Sequence, residues 1–174
     1  GFPLFGSVLL PVLFRIYETL NLLFVLPTLV RRRGKEIRAV TDIETMLAEH
    51  ACAKLITEYA ALLDAGRWED VAALYLADGR MSRPTAPDDF IEGREAILAS
   101  FTARPPRISR HVCINIRVDV EGSTAATATS QILLFTAEAA EDGGLPVQSP
   151  APPMVGTYAD RLVRTDAGWR FAER

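Results

Sequence analysis

The stretch R-I-S-R-H-V-C-I-N-I-R-V-D-V, Arg107 to Val120, decides how this chain is read. Valine and isoleucine favour strands, and side chains alternate across a strand. Simple alternation therefore puts Val112, Ile114, Ile116, Val118 and Val120 on one face. Ser109, His111, Cys113, Asn115, Arg117 and Asp119 fall on the other. The apolar face needs helices packed on it and the edges need further strands. The polar face carries His111, one of two histidines in the chain.

The segments downstream supply the strands. E-G-S makes a turn, and Thr124 to Ala137, rich in Thr, Ile, Leu and Phe, predicts a second long strand. Glu138 to Pro153 is a long loop with Gly143, Gly144 and several prolines, a length that in compact domains usually accompanies function or mobility. Met154 to Arg164 alternates again, and D-A-G is a tight turn into the closing strand W-R-F-A-E-R.

The segments upstream supply the helices. Thr41 or Asp42 can cap a helix in which Ile43, Met46, Leu47, Ala51, Leu55, Tyr59 and Leu62 recur at helical spacing until Gly66. Trp68 to Tyr75 predicts a short second helix ending at A-D-G, with a short strand over Arg80 to Arg83. A third helix is expected from about Gly93, halted before Pro105 and Pro106. The pattern is an α+β domain: three helices, a short strand, then a meander of four long antiparallel strands.

Residues 1–40 differ from the rest. Phe2 to Val30 is almost wholly apolar but broken by Arg15, Glu18 and Asn21, and it ends in R-R-R-G-K-E-I-R. Its uncharged runs fall short of the roughly 20 residues that span a bilayer, and its charges lie at the wrong end for a secretory signal. Three readings stay open: an interfacial membrane anchor whose arginines meet anionic head groups, a helix that docks on a partner, or an upstream extension foreign to the natural protein. The domain itself is taken as 41–174.

With 174 residues, 49% of them apolar and 24% charged, the chain has enough length for one good core. Residues 1–40 hold six Lys/Arg and two Asp/Glu, a net of +4, which leaves −7 for residues 41–174 in a total of −3. An acidic body with no basic patch interleaved with aromatics argues against a nucleic-acid partner. Cys52 and Cys113 have neither metal nor redox spacing, so a reducing, cytoplasmic setting fits.

Four segments carry a family resemblance: L-L-D-A-G-R-W-E-D-V-A-A-L-Y-L-A-D-G, F-I-E-G-R-E-A-I, S-R-H-V-C-I-N-I-R-V and G-T-Y-A-D-R-L-V-R-T-D-A-G-W-R-F-A-E-R. Together they closely resemble the SnoaL-like branch of the nuclear transport factor 2-like superfamily, over about residues 42–174. The resemblance implies a cone-shaped curved antiparallel sheet wrapped around a long helix, with a pocket inside. Relatives include scytalone dehydratase, bile-acid dehydratases, polyketide cyclases, ketosteroid isomerase, limonene epoxide hydrolase and the small subunit of ring-hydroxylating dioxygenases. One fold hosts many functions, so chemistry has to be argued from residues.

Asp64 resembles the helix-end aspartate that in the dehydratases sits beside a histidine, and His111 resembles that histidine. A carboxylate bonded to one imidazole nitrogen fixes the tautomer, so the other nitrogen can take a proton α to a carbonyl and return it to a leaving hydroxyl. No metal or cofactor is needed. The plainer alternatives are that Asp64 bonds backbone in the A-G turn and that His111 sits on a solvated or dimer-facing surface. Tyr59, Asn115, Gln131, Tyr158 and Asp160 are further candidates for contacting a substrate. Against these stand core packing for Tyr59, strand pairing for Asn115 and Gln131, and a surface ion pair with Arg161 or Arg117 for Asp160.

Two departures from the relatives bear on the chemistry. The scytalone-type second histidine is missing from Thr124 to Ala137, and the ketosteroid-isomerase pairing of acid and tyrosine is not matched. Alternation also sets His111 opposite the apolar face of its own strand. It reaches the pocket if that polar side lines the cone, or if a β-bulge between His111 and Asn115 exchanges the faces. The expectation is a homodimeric small-molecule enzyme of dehydratase, isomerase or cyclase type. The competing expectation is a non-catalytic binding or assembly module resembling the dioxygenase small subunit.

Overall fold

The structure, a computed structural model, describes residues 30–32, 35–37, 41–138 and 145–174. The chain divides into two units, Gly1–Ala39 and Val40–Arg174. In the first, β1 (Val30–Arg32) and β2 (Lys35–Ile37) pair as an antiparallel hairpin. The apolar run before it, read above as an anchor, a docking helix or an extension, lies outside the described residues. Among the described residues no helix is long and apolar enough to cross a membrane.

In the second unit α1 (Asp42–Asp64) opens with a capping box. The Glu44 amide donates to Thr41 Oγ1 at 3.2 Å, and the Thr41 amide donates to the Glu44 carboxylate at 3.0 Å, satisfying two donors that a helix start leaves unpaired. The buried stripe runs Ala48, Cys52, Leu55, Ile56, Tyr59, Ala60 and Leu63. Packing thus begins a turn later than the apolar spacing implies, and Ile43, Met46 and Leu47 stand 64–70% exposed. α1 packs chiefly on β5 (Ile108–Glu121). α2 (Trp68–Ala73) and α3 (Arg94–Thr102) join through Trp68 and Phe101, whose rings stack at 5.8 Å.

One curved sheet of six strands holds the rest, in the order β4-β3-β8-β7-β6-β5. Its expected part is the meander of β5, β6 (Ala125–Ala137), β7 (Met154–Thr165) and β8 (Gly168–Glu173). Beside it lie β3 (Tyr75–Arg83), which pairs parallel with β8, and β4 (Ala86–Glu92), which pairs antiparallel with β3. The short second helix ends at Ala73, before Tyr75, and the strand expected over Arg80–Arg83 is nine residues long. A-D-G is an irregularity in that strand: a Cβ on Gly79 would crowd the Phe171 carbonyl oxygen at 3.0 Å and the Leu76 backbone at 3.1 Å, so a larger residue would require the backbone to shift. β4 was unexpected because Pro87, Asp88 and Asp89 disfavour strands, yet an edge strand tolerates both an unpaired proline and solvated charges.

The bulge in β5 governs everything inside the cone. The β5–β6 register breaks between Ile114 and Arg117, with Asn115 at φ 50°, so two residues face one across the pair. Simple alternation therefore fails along this strand. Before the bulge Ser109, His111 and Cys113 point inward, and after it Ile116, Val118 and Val120 do. Val112 and Ile114 are turned out, 40% and 41% exposed. The single extra residue keeps the distal half of β5 apolar toward the helix while its proximal half presents a polar face to the cavity.

Candidate active site

α1 ends at Asp64, whose side chain reaches β5. The Asp64 carboxylate accepts three hydrogen bonds: from His111 Nδ1 at 2.6 Å, from the His111 amide at 2.9 Å and from Ser109 Oγ at 3.1 Å. The His111 side chain is 6% exposed and that of Asp64 16%. Burial acts to raise the Asp64 pKa, but the bonds from the His111 ring and backbone, the His111 charge and Ser109 outweigh it and hold the group below its usual value. Asp64 therefore stays a carboxylate. An ionised acceptor at Nδ1 fixes the tautomer with Nδ1 protonated and leaves Nε2 as the acceptor.

His111 lines a cavity of about 290 Å³ within the cone. Its apolar wall comes from Leu63, Ile132, Leu134, Met154 and Met81, and Gly156 contributes a surface with no side chain. Tyr59 and Tyr158 face in from α1 and β7. The cross-strand row His111, Leu134, Met154 runs over β5, β6 and β7, so the register itself sets the imidazole beside these side chains. Arg83, Arg104 and Arg107 also line it. A second cavity of about 440 Å³ adjoins the first and shares Leu63, Arg104, Pro105, Arg107 and His111 with it. Burial raises the pKa of both Tyr59 and Tyr158, so each hydroxyl remains protonated and able to donate. Tyr59 already directs its hydroxyl to Met81 Sδ at 3.7 Å.

Asp160 does not line the cavity. It is buried on β7 and pairs with Arg174 at 3.2 Å, in place of the expected substrate contact or surface pair with Arg161 or Arg117. Burial pushes its carboxyl up to about 6, with Arg174 opposing, and its Oδ1 has no hydrogen-bond partner among the described residues. The Arg174 guanidinium lies over the rings of Tyr158, Tyr59 and Phe171 at 4.0, 4.2 and 4.7 Å. This cation–π cage fixes from behind the two tyrosines that face the cavity. Backbone bonds from Arg174 N to Arg80 O and from Ser82 N to Arg174 O tie the end of β8 to β3.

Asn115 and Gln131 are likewise elsewhere: exposed on the outer face, they bond each other at 2.8 Å across β5 and β6. The bulge that turns His111 inward leaves Asn115 outside. Reading by residue type missed the lining arginines and Arg174, because one arginine in a loop or a terminal strand looks like any solvated arginine. The R-P-P-R spacing is a local signal that could have drawn attention to Arg104 and Arg107. Among the described residues no three His, Cys, Asp or Glu side chains converge as a metal site would require.

Fold and cavity together, a helix-filled cone with a lined interior space, are compatible with a small-molecule pocket protein. The chain belongs to the SnoaL-like domain family, whose pattern matches residues 44–174. Among solved structures it is similar to a candidate scytalone dehydratase from Novosphingobium aromaticivorans, with 24% identity, a TM-score of 0.64, and 77% of this chain and 85% of that chain covered. It is also similar to a candidate aromatic ring hydroxylase from the same organism, with 18% identity, a TM-score of 0.61, and coverage of 74% and 86%. A Catenulispora acidiphila protein in complex with S-DNPA matches at 26% identity and a TM-score of 0.56, over 75% of this chain and 90% of that one. A search of curated proteins finds no match.

Proposed function

We propose that this protein is a cofactor-free acid/base enzyme, of dehydratase, isomerase or cyclase type, acting on a cyclic or aromatic small molecule. The observation that carries the reading is the 2.6 Å bond between His111 Nδ1 and Asp64 on the wall of a cavity of ring-sized volume. In a dehydration, Nε2 takes the proton α to a carbonyl, the C–H electron pair becomes the new C=C bond, and the β C–O bond breaks. The imidazolium, stabilised by Asp64, returns the proton to the leaving hydroxyl and water departs. The Tyr158 hydroxyl is available to donate to the carbonyl oxygen, where negative charge develops.

The test is a panel of cyclic β-hydroxyketones in deuterated water, followed by absorbance for dehydration and by NMR for exchange of the α proton. Wild-type protein is expected to catalyse exchange or elimination, and His111→Ala to lower the rate by about 10²–10⁴-fold. A second reading, a non-catalytic binding or assembly module, draws support from the strand paired with that of His111, which holds no second histidine and sets aliphatic Leu134 opposite His111. Ligands that bind in the cavity with neither exchange nor turnover would favour that second reading.

A further inference from the structure

We propose that the cavity takes a substrate bearing an anionic group, a carboxylate or a phosphate ester, held by Arg83, Arg104 and Arg107 at the side of the cavity where Pro84 and Pro105 also lie. The inference deepens the acid/base reading, on which it rests for the word substrate. Elsewhere in this unit Arg67, Arg80, Arg117 and Arg174 pair with a carboxylate, while Arg94, Arg110 and Arg170 donate to backbone carbonyls. Among the described residues no Asp or Glu forms an ion pair with any of the three cavity arginines, although residues 41–174 carry a net charge of −7. Three like charges around one concavity repel each other, and an anion between them removes that cost.

The arrangement is also built rather than incidental. Arg104 lies half-buried with its guanidinium 4.2 Å from the Phe101 ring centroid, so stacking holds its plane. Pro105 and Pro106 restrict the backbone between Arg104 and Arg107, which limits how far the two guanidinium groups can drift apart. Arg104, Arg107 and His111 line both adjoining cavities, so a bound anion would sit beside the dyad, with the ring of the ligand against Leu63, Ile132 and Leu134. Burial, and then the charges of Arg83 and Arg107, lower the Arg104 pKa against the opposing pull of Tyr59 and Tyr158.

Calorimetry with 2-naphthoate, 1-naphthyl phosphate and neutral 2-naphthamide tests this, because binding needs no turnover. At least one anion is expected to bind about tenfold or more tighter than the amide, with the advantage shrinking as salt rises. The tighter of the two identifies the anion class. Arg83→Gln and Arg107→Gln change exposed residues that leave the core intact, and each should erode the advantage, whereas Arg107→Lys should retain part of it. His111→Ala should keep it, which separates failure of the anion site from failure of the acid/base reading. Equal affinity for amide and anions, no binding of either anion, or an advantage unaffected by the arginine variants would overturn the proposal.

Discussion

His111 and Asp64 are joined by two hydrogen bonds, one to the ring and one to the backbone, so they are expected to act as a unit. Asp64→Asn keeps the shape but offers a carboxamide that can select the wrong tautomer and cannot stabilise an imidazolium, so turnover should fall there too. The double variant should be little worse than either single one, a non-additivity that kinetics on all three proteins would expose. Asp64 and Asp160 also give stability opposite pH dependences. The Asp64 pKa is lowered below its usual 3.8, so its contribution is complete above that pH and is lost as pH falls through the folded value. Asp160 is raised to about 6, so the folded chain keeps a proton that the unfolded chain releases near 3.8. Stability from this group therefore falls as pH rises between those values and is flat above. Urea midpoints measured across this range should show that slope in the wild type and its loss in Asp160→Asn. Of these residues the dyad was legible because a helix-end aspartate and a strand histidine resemble a known pair. Asp160–Arg174 was not, since a contact between β7 and the end of β8 has no signature in spacing.

At the scale of the element, the bulge in β5 is the device that makes a site possible. Asn115 carries it at φ 50°, a conformation that asparagine and glycine tolerate and β-branched residues resist. Asn115→Gly should leave stability within a few tenths of a kcal/mol, and Asn115→Val should cost about 1–2 kcal/mol in chemical denaturation. A valine variant as stable as the wild type would mean that the bulge is not held by this residue. The helix order and the four-strand meander were readable from periodicity and turn residues, while the bulge position was not. Ile114-Asn115-Ile116 reads as clean alternation, and only pairing with β6 shows that the register slips there. β4 stayed hidden for the related reason that an edge strand need not look like one: Pro87 and the two aspartates are unfavourable in a paired interior and harmless at an edge.

Over the whole molecule, the compositional break after residue 40 and the family match from residue 44 lead us to expect that 41–174 folds alone. A truncated chain that is insoluble, or that melts far below the full one, would contradict this. The outer face of the sheet needs a different account. The bulge sends Val112 and Ile114 outward, and the register places Val112, Leu133 and Val155 in one row across β5, β6 and β7, with Val155 75% exposed. An antiparallel sheet can leave one face to water when that face is polar, but this row is aliphatic and contiguous. A two-fold pairing of copies would bury the same row from both sides, because an isologous contact brings each patch against itself. We therefore expect a homodimer formed through this face. Val155→Glu would place like charges near the axis of such a pair while leaving the cavity side of β7 unchanged. Light scattering should give twice the chain mass for wild type and a single chain for the variant, with α-proton exchange preserved if the cavity is complete within one chain. A wild-type monomer at concentrations where ordinary dimers persist would remove the dimer. Unaltered mass in Val155→Glu would move the interface off this row.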